Sequence, residues 1–338
     1  MTGLERVMTA VTGSDADHQP FTMLLSLYGA GIIKCNTAEY YRNPALWYEG
    51  QKAVIDLLDP DILITPFSFP LEAEAFGSEV VFLPNFSPNL KKPFITDLSQ
   101  VRDICLPDTG SSKSLQFFLE STRMMARDFK ETRAIASVLL SPCDLPALLM
   151  GIEMWIDTLL FHPAETDAVL QKTIEHFVCL GNEYLANGAS FLVVPVNFTN
   201  PMIITNRILE KLMPYLVRAF RRLNGPVVIH NGGCKIMPFI SNFATLPNVI
   251  AILPEHRESF DEARTIVGDK MVLMGNLDGP CIANLTPDEA SAATLRILEN
   301  RKDDRHFIFA TSNGDIPYDT PAETLVAVAR TIRGFKKF

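Results

Sequence analysis

The chain has 338 residues, 47% of them hydrophobic and 20% charged, and a net charge of −9. That length and composition suit a globular protein built as one barrel or two smaller domains. The acidic balance argues against a nucleic-acid partner, since phosphate binding requires clustered Lys and Arg. The only basic cluster is the short tail Arg333, Lys336 and Lys337.

Six cysteines (Cys35, Cys105, Cys143, Cys179, Cys234, Cys281) are scattered without a C-x-x-C pair, which disfavours a disulfide framework or a zinc ribbon. The first residues carry Glu5 and Arg6 in place of a signal-peptide core, and no run of about 18 apolar residues is present to span a membrane. The expectation is a cytoplasmic protein with no membrane contact.

Residues 4–11 have helical spacing and form a leading helix that ends at Gly13. The first strand is expected at 21–27 (FTMLLSL). Two helices follow over 37–58, broken at Asn43-Pro44 because proline begins a helix but does not continue one. The second strand is 61–66 (DILITP), followed by a proline-rich excursion over 83–107 across the barrel mouth. The third strand, 133–140, precedes helices at 144–160 and 163–188.

The remaining strands are expected at 190–196, 227–229, 249–253, 271–275 and 306–311. Ser259 with Glu262, Thr286 with Glu289 and Thr320 with Glu323 have the spacing of helix capping boxes. Eight apolar strands alternating with helices predict an α/β fold, a (β/α)8 TIM barrel, over the single domain 1–338. There is an N-terminal helical extension and an excursion after strand 2. No Gly-x-Gly-x-x-Gly or phosphate-binding loop follows a strand, so an open nucleotide-binding sheet is disfavoured.

In such a barrel the chemistry sits at the carboxyl ends of the strands. Those ends carry Tyr28, Ser68, Asp144, Asn197, His230, Asn231, Glu255, His256, Asn276, Asp278, Asn313 and Asp315. The set is poor in Lys and Arg, so a polyanionic ligand would find few partners. His230, Glu255 and Asp315 are the candidate acid–base residues. Tyr28, Ser68, Asn197, Asn231, Asn276 and Asn313 are the candidate substrate ligands. Asp278 and Asp315 also suit turn closure, and Asp144 suits a helix cap. Of Glu255 and His256, strand alternation allows one to face the mouth, and Glu255 is preferred. His230, Cys234 and Glu255 form a weak candidate zinc site, although Cys234 also suits a buried filler role.

Several stretches resemble the uroporphyrinogen decarboxylase superfamily, in particular its corrinoid-linked methyltransferases. They are residues 71–77 (LEAEAFG), 149–153 (LMGIE), 188–190 (GAS), 227–230 (VVIH), 275–278 (GNLD) and 316–323 (IPYDTPAE). The resemblance implies a (β/α)8 barrel. The family's decarboxylases carry an arginine-rich Arg-Gln-Ala-Gly-Arg-Tyr segment that clamps porphyrinogen carboxylates, whereas here residues 28–32 read YGAGI.

Its thiol methyltransferases hold zinc with His-x-Cys and a later Cys. Here His230 matches, but Gly232 stands at the first cysteine position and the later one falls at or beside Gly314. The resemblance therefore implies an O-demethylation enzyme of one-carbon metabolism. It would move a methyl group from a small methylated donor, preferably an aromatic methyl ether, to a corrinoid (cobalamin-type) cofactor on a partner protein. Tyr28, Phe67, Phe69 and Phe198 are candidates to line a slot for the ring. A methylcobamide-to-thiol transferase with an altered zinc site, another decarboxylase and a non-catalytic ligand-binding barrel are the alternatives.

Overall fold

The computed structural model describes residues 1–335, so Lys336 and Lys337 of the basic tail lie outside the described residues. Eight strands lie side by side in one parallel sheet. They are β1 (Phe21–Thr22), β2 (Ile62–Ile64), β5 (Ala134–Val138), β6 (Phe191–Pro195), β7 (Val227–His230), β8 (Val249–Leu253), β9 (Val272–Asp278) and β10 (Phe307–Ser312). The remaining strands, β3 (Glu79–Val81) and β4 (Asn89–Lys92), form an antiparallel hairpin.

The sheet runs β2, β5, β6, β7, β8, β9, β10, β1. Its two edges are joined by Thr22, whose hydroxyl donates to Ile62 O at 2.9 Å, and by Asp61 N–H, which donates to Phe21 O at 3.0 Å. The expected (β/α)8 barrel is thus observed with its eight strands, although the first, expected over 21–27, is only Phe21–Thr22.

Alternation along each strand sorts the apolar residues into two layers. Val228, Ala251, Leu253, Val272, Met274, Ile308 and Ala310 pack inside the barrel. Val227, Ile229, Ile252 and Leu273 pack outward against the helices. The helix Gly3–Thr12 brings Val7 and Ala10 into the inner layer. Arg6 is paired with Asp61, Leu4 N–H donates to Thr132 O, and His306 Nδ1 lies 2.8 Å from Ala10 O. All three contacts reach the starts of strands, so this helix closes the end of the barrel opposite the mouth.

Local chemistry explains the helix boundaries. Asn43 caps the helix Pro44–Leu58 through bonds from Ala45 and Leu46 N–H. The helix expected over 144–160 is instead two, Leu145–Met150 and Ile152–Phe161, because Gly151 takes φ +82°, a conformation outside any right-handed helix. The Thr286–Glu289 capping box forms in full. At Ser259 only the hydroxyl half forms. Thr320 does not cap: its hydroxyl donates to Pro317 O, closing the preceding turn. No helix among the described residues is long and apolar enough to cross a membrane.

Candidate active site at the barrel mouth

Two cavities stack at the carboxyl ends of the strands. The inner one, of about 180 Å³, is walled by Leu24, Phe67, Phe69, Val138, Val193 and Pro195 and carries Asn197, His230, Gly232, Asn313 and Gly314. The outer bowl, of about 730 Å³, shares Phe69 and Asn197 with it and is bounded by Phe198, Asp315, Tyr318 and residues 83–89. The first part of the excursion, residues 83–89, therefore lies at the mouth, whereas 90–107 line neither cavity. Neither cavity is lined by Lys or Arg.

His230 ends β7 two residues after the inward-facing Val228, and so faces inward itself. The turn that follows brings Gly232 N–H to 2.9 Å from His230 Nδ1, which must accept. A neutral imidazole bonded this way carries its proton on Nε2. That Nε2 is buried without a hydrogen-bond partner, on a residue that lines the inner cavity. Burial lowers the pKa of His230 from 6.5 to about 4, so the ring is uncharged at neutral pH. Asn197 Oδ1 and Asn313 Oδ1 are also buried and unpartnered. One donor and two acceptors thus stand on residues of a pocket that is otherwise apolar. Unpaired buried polar atoms are costly, and a polar ligand would relieve that cost.

Most of the other strand-end polar residues tie neighbouring loops together. Asp144 does not cap its own helix; Oδ1 accepts from Phe198 and Thr199 N–H at 2.5 and 2.8 Å, across to the loop after β6. Asp315 lines the outer bowl, but its two oxygens accept from Ser26 and Leu27 N–H, joining the β10 loop to the β1 loop. Asn231 donates to Leu253 O and Pro254 O, and Asn276 to His256 O. Asn313 Nδ2 donates to Asp278 Oδ1, leaving its oxygen free. Two braces had no role in the sequence reading. Glu72 accepts from Leu140 N–H, and Glu258 accepts from Ile236, Met237 and Glu255 N–H. Rim loops have no ladder partners, so their amides must find side chains.

Three expectations are corrected by this geometry. Glu255 does not line the cavity of His230; its Oε1 lies 2.9 Å from Arg257 Nε and 2.7 Å from His256 Nδ1, and Oε2 accepts from Arg257 N–H. The strand ends at Leu253 and Pro254 follows, so alternation does not extend to position 255. Tyr28 and Ser68 do not line the mouth cavities, although their neighbours Leu27, Phe67 and Phe69 do. Tyr28 opens a short helix instead, and burial followed by the charge of Glu323 raises its phenol. The trio His230, Cys234 and Glu255 does not assemble: no group of three His, Cys, Asp or Glu among the described residues could hold a metal ion. Burial, then Asp144 and Glu255, raises the Cys234 thiol, which disfavours a thiolate.

Gly232 is required where it stands. It has φ +64°, and a Cβ there would lie 2.4 Å from Asn197 Oδ1 and 2.9 Å from Asn197 N. Gly232→Ala is expected to lose about 1–3 kcal/mol in urea denaturation, from backbone strain and the displaced Asn197. An unchanged midpoint would show that this turn is free to relax.

Burial outweighs three amide bonds and pushes Asp315 up from 3.8 to about 7. A raised carboxyl pKa means that the folded chain holds a proton the unfolded chain has released. The stability from Asp315 is therefore full below 3.8 and lost as pH rises through about 7. Asp315→Asn offers one acceptor to two amides and so lowers stability throughout. It is also expected to remove a few kcal/mol of pH dependence between about pH 4 and 7, measured by denaturation at several pH values. The same slope in wild type and variant would refute this.

The geometry defines a barrel whose mouth is a cation-poor pocket with three unpaired polar atoms. The uroporphyrinogen decarboxylase (URO-D) family model matches residues 2–335, and the chain belongs to that family. No curated protein sequence matches it. Among solved structures, a methyltransferase from Methanosarcina mazei superposes with a TM-score of 0.86 at 17% identity, covering 98% of each chain. A B12-independent methionine synthase from Shewanella sp. W3-18-1 gives 0.56 at 13% identity, over 88% of this chain and 89% of that one. A putative vitamin-B12-independent methionine synthase from Listeria monocytogenes gives 0.53 at 10%, over 94% and 95%. At these identities the likeness establishes the fold.

Proposed function

We propose that this chain is a methyltransferase that moves a methyl group from a small aromatic methyl ether to the cobalt of a corrinoid carried by a separate protein. The observation that carries the reading is the buried, unpaired His230 Nε2–H, on a residue that lines an apolar pocket. The corrinoid supplies a strong cobalt nucleophile, so the enzyme's task is to improve the leaving group.

A ring bound against the packed pair Phe67 and Phe69, whose centroids lie 5.8 Å apart, fits the size of the inner pocket, about 180 Å³, since apolar cavities of roughly 150 Å³ hold benzene. His230 Nε2–H then donates to the ether oxygen. As the methyl–oxygen bond breaks, the electron pair stays on oxygen, and this hydrogen bond strengthens. A neutral imidazole is a hydrogen-bond donor but a poor acid at neutral pH, so the oxygen must leave as an anion. That favours a phenoxide, whose conjugate acid has a pKa of about 10, over an alkoxide. Asn197 Oδ1 and Asn313 Oδ1 suit an O–H or N–H on the same ligand. The outer bowl leaves room for a large partner-borne group above the pocket.

The fold shared with the Methanosarcina mazei methyltransferase supports methyl transfer over decarboxylation, as does a mouth without cations for porphyrinogen carboxylates. The test mixes this protein, a cobalt(I) corrinoid protein and methoxylated aromatics, and follows the cobalt absorption spectrum. Conversion to the methyl-cobalt spectrum, dependent on the protein, is expected. No change with any methylated donor would end the proposal.

A further inference from the structure

We infer that the inner pocket works without a metal ion, as a hydrogen-bonding pocket whose donor is the Nε2–H of His230. Zinc in this fold family would be held through the histidine at this position, and the residues here do not fit it.

The tautomer is the first reason. Ligation through Nε2 needs its lone pair, so the ring proton would have to sit on Nδ1. There it would face Gly232 N–H, which already donates to Nδ1 at 2.9 Å. Metal-binding histidines have the opposite arrangement, with the second nitrogen donating to an oxygen.

Position 232 is the second. A cysteine two residues after His230 would place its Cβ 2.4 Å from Asn197 Oδ1, 2.9 Å from Asn197 N and 3.0 Å from Asn197 Cα. Backbone atoms cannot swing aside as a flexible side chain can. Gly314, the other matching position, is different, because a Cβ there meets only Pro280 Cγ at 3.5 Å. The third reason is that Glu255 is turned to Arg257 and His256.

In place of a metal, the pocket presents a donor on His230 and acceptors on Asn197 and Asn313. This holds for any neutral ligand with matching groups, and does not depend on methyl transfer being the reaction.

The test uses the full chain, incubated with zinc sulfate, passed through gel filtration and assayed for metal by mass spectrometry. Substoichiometric zinc is expected, unchanged in Cys234→Ser and Glu255→Gln. Nitrogen-15 NMR of the imidazoles should show one neutral ring protonated on Nε2, with a signal that His230→Gln removes and added zinc does not shift. Gly314→Cys should fold, by its thermal midpoint, and remain without zinc. One zinc per chain that is lost in Cys234→Ser or His230→Gln would overturn the inference. So would a His230 ring protonated on Nδ1, or zinc captured by Gly314→Cys. None of these readouts measures methyl transfer, so a failed methyl-transfer assay leaves this inference standing, whereas a His230 ring protonated on Nδ1 would also remove the donor on which the methyl-transfer reading rests.

Discussion

His230→Ala is expected to lower kcat/KM for methyl transfer by about 10²–10³-fold, the usual cost of removing one preorganised donor to a developing oxyanion. The loss should fall mainly on kcat, because the hydrogen bond strengthens as charge builds on the leaving oxygen. His230→Gln, whose amide retains an N–H, should recover part of the rate. A second signature separates a neutral donor from an acid. With its pKa lowered to about 4, His230 does not titrate near neutrality, so the rate should show no histidine-linked fall as pH rises through 6.5. A rate that drops with an apparent pKa near 6.5 and loses that dependence in His230→Gln would reassign His230 as a proton donor. Full activity in His230→Ala would remove it from the chemistry altogether.

The same burial makes His230 a source of acid sensitivity. Its folded-state pKa is depressed, so the unfolded chain takes up a proton between 6.5 and about 4 that the folded chain does not. Stability from this group is full above 6.5 and lost as pH falls through that window. The slope is opposite in sign to those of Asp315 and Asp144, which are raised to about 7 and about 6.

The barrel was legible in the sequence because each strand contains a short apolar run and several helices carry a start signal, such as Asn43-Pro44 and Thr286 with Glu289. His230 was legible for the same reason, since inside a strand parity fixes direction. Legibility ended where the strands did. Asn197 continues the alternation of Phe191, Val193 and Pro195 and lines the cavity. Glu255 follows Pro254 and turns away to Arg257. Asn313 reaches the cavity only by adopting φ +73°. The loop braces were hidden for a different reason. Asp144 accepts from residues 54 and 55 positions away, and Asp315 from residues 288 and 289 away, so no local pattern announces them. Polar residues at strand ends therefore mixed two populations that composition alone could not separate.

Asp144 allows those populations to be told apart experimentally. Its side chain is fully buried, and its carboxylate binds three groups: Phe198 and Thr199 N–H on Oδ1, and the Ser141 hydroxyl on Oδ2. Asp144→Ala leaves two buried amides and a hydroxyl unpaired, each worth about 1–3 kcal/mol, offset in part by no longer burying a carboxyl. A net loss of about 3 kcal/mol is expected in urea denaturation. Asp144→Asn should behave very differently. Both amides bond to the same oxygen, which asparagine keeps, but Ser141 Oγ already accepts from Cys143 and Asp144 N–H, so the new amide and the Ser141 hydroxyl are left facing each other as donors. Its cost should be that of the one lost Ser141 bond, about 1–2 kcal/mol and less than alanine's, and the decline in stability as pH rises from 3.8 to about 6, which Asp144 contributes, should vanish. Activity separates the roles: a catalytic carboxylate would give an asparagine variant that folds but is inactive, whereas a brace gives one that folds and keeps its activity. Equal destabilisation by alanine and asparagine would mean instead that the charge itself, and not its hydrogen bonds, holds the β5 and β6 loops together.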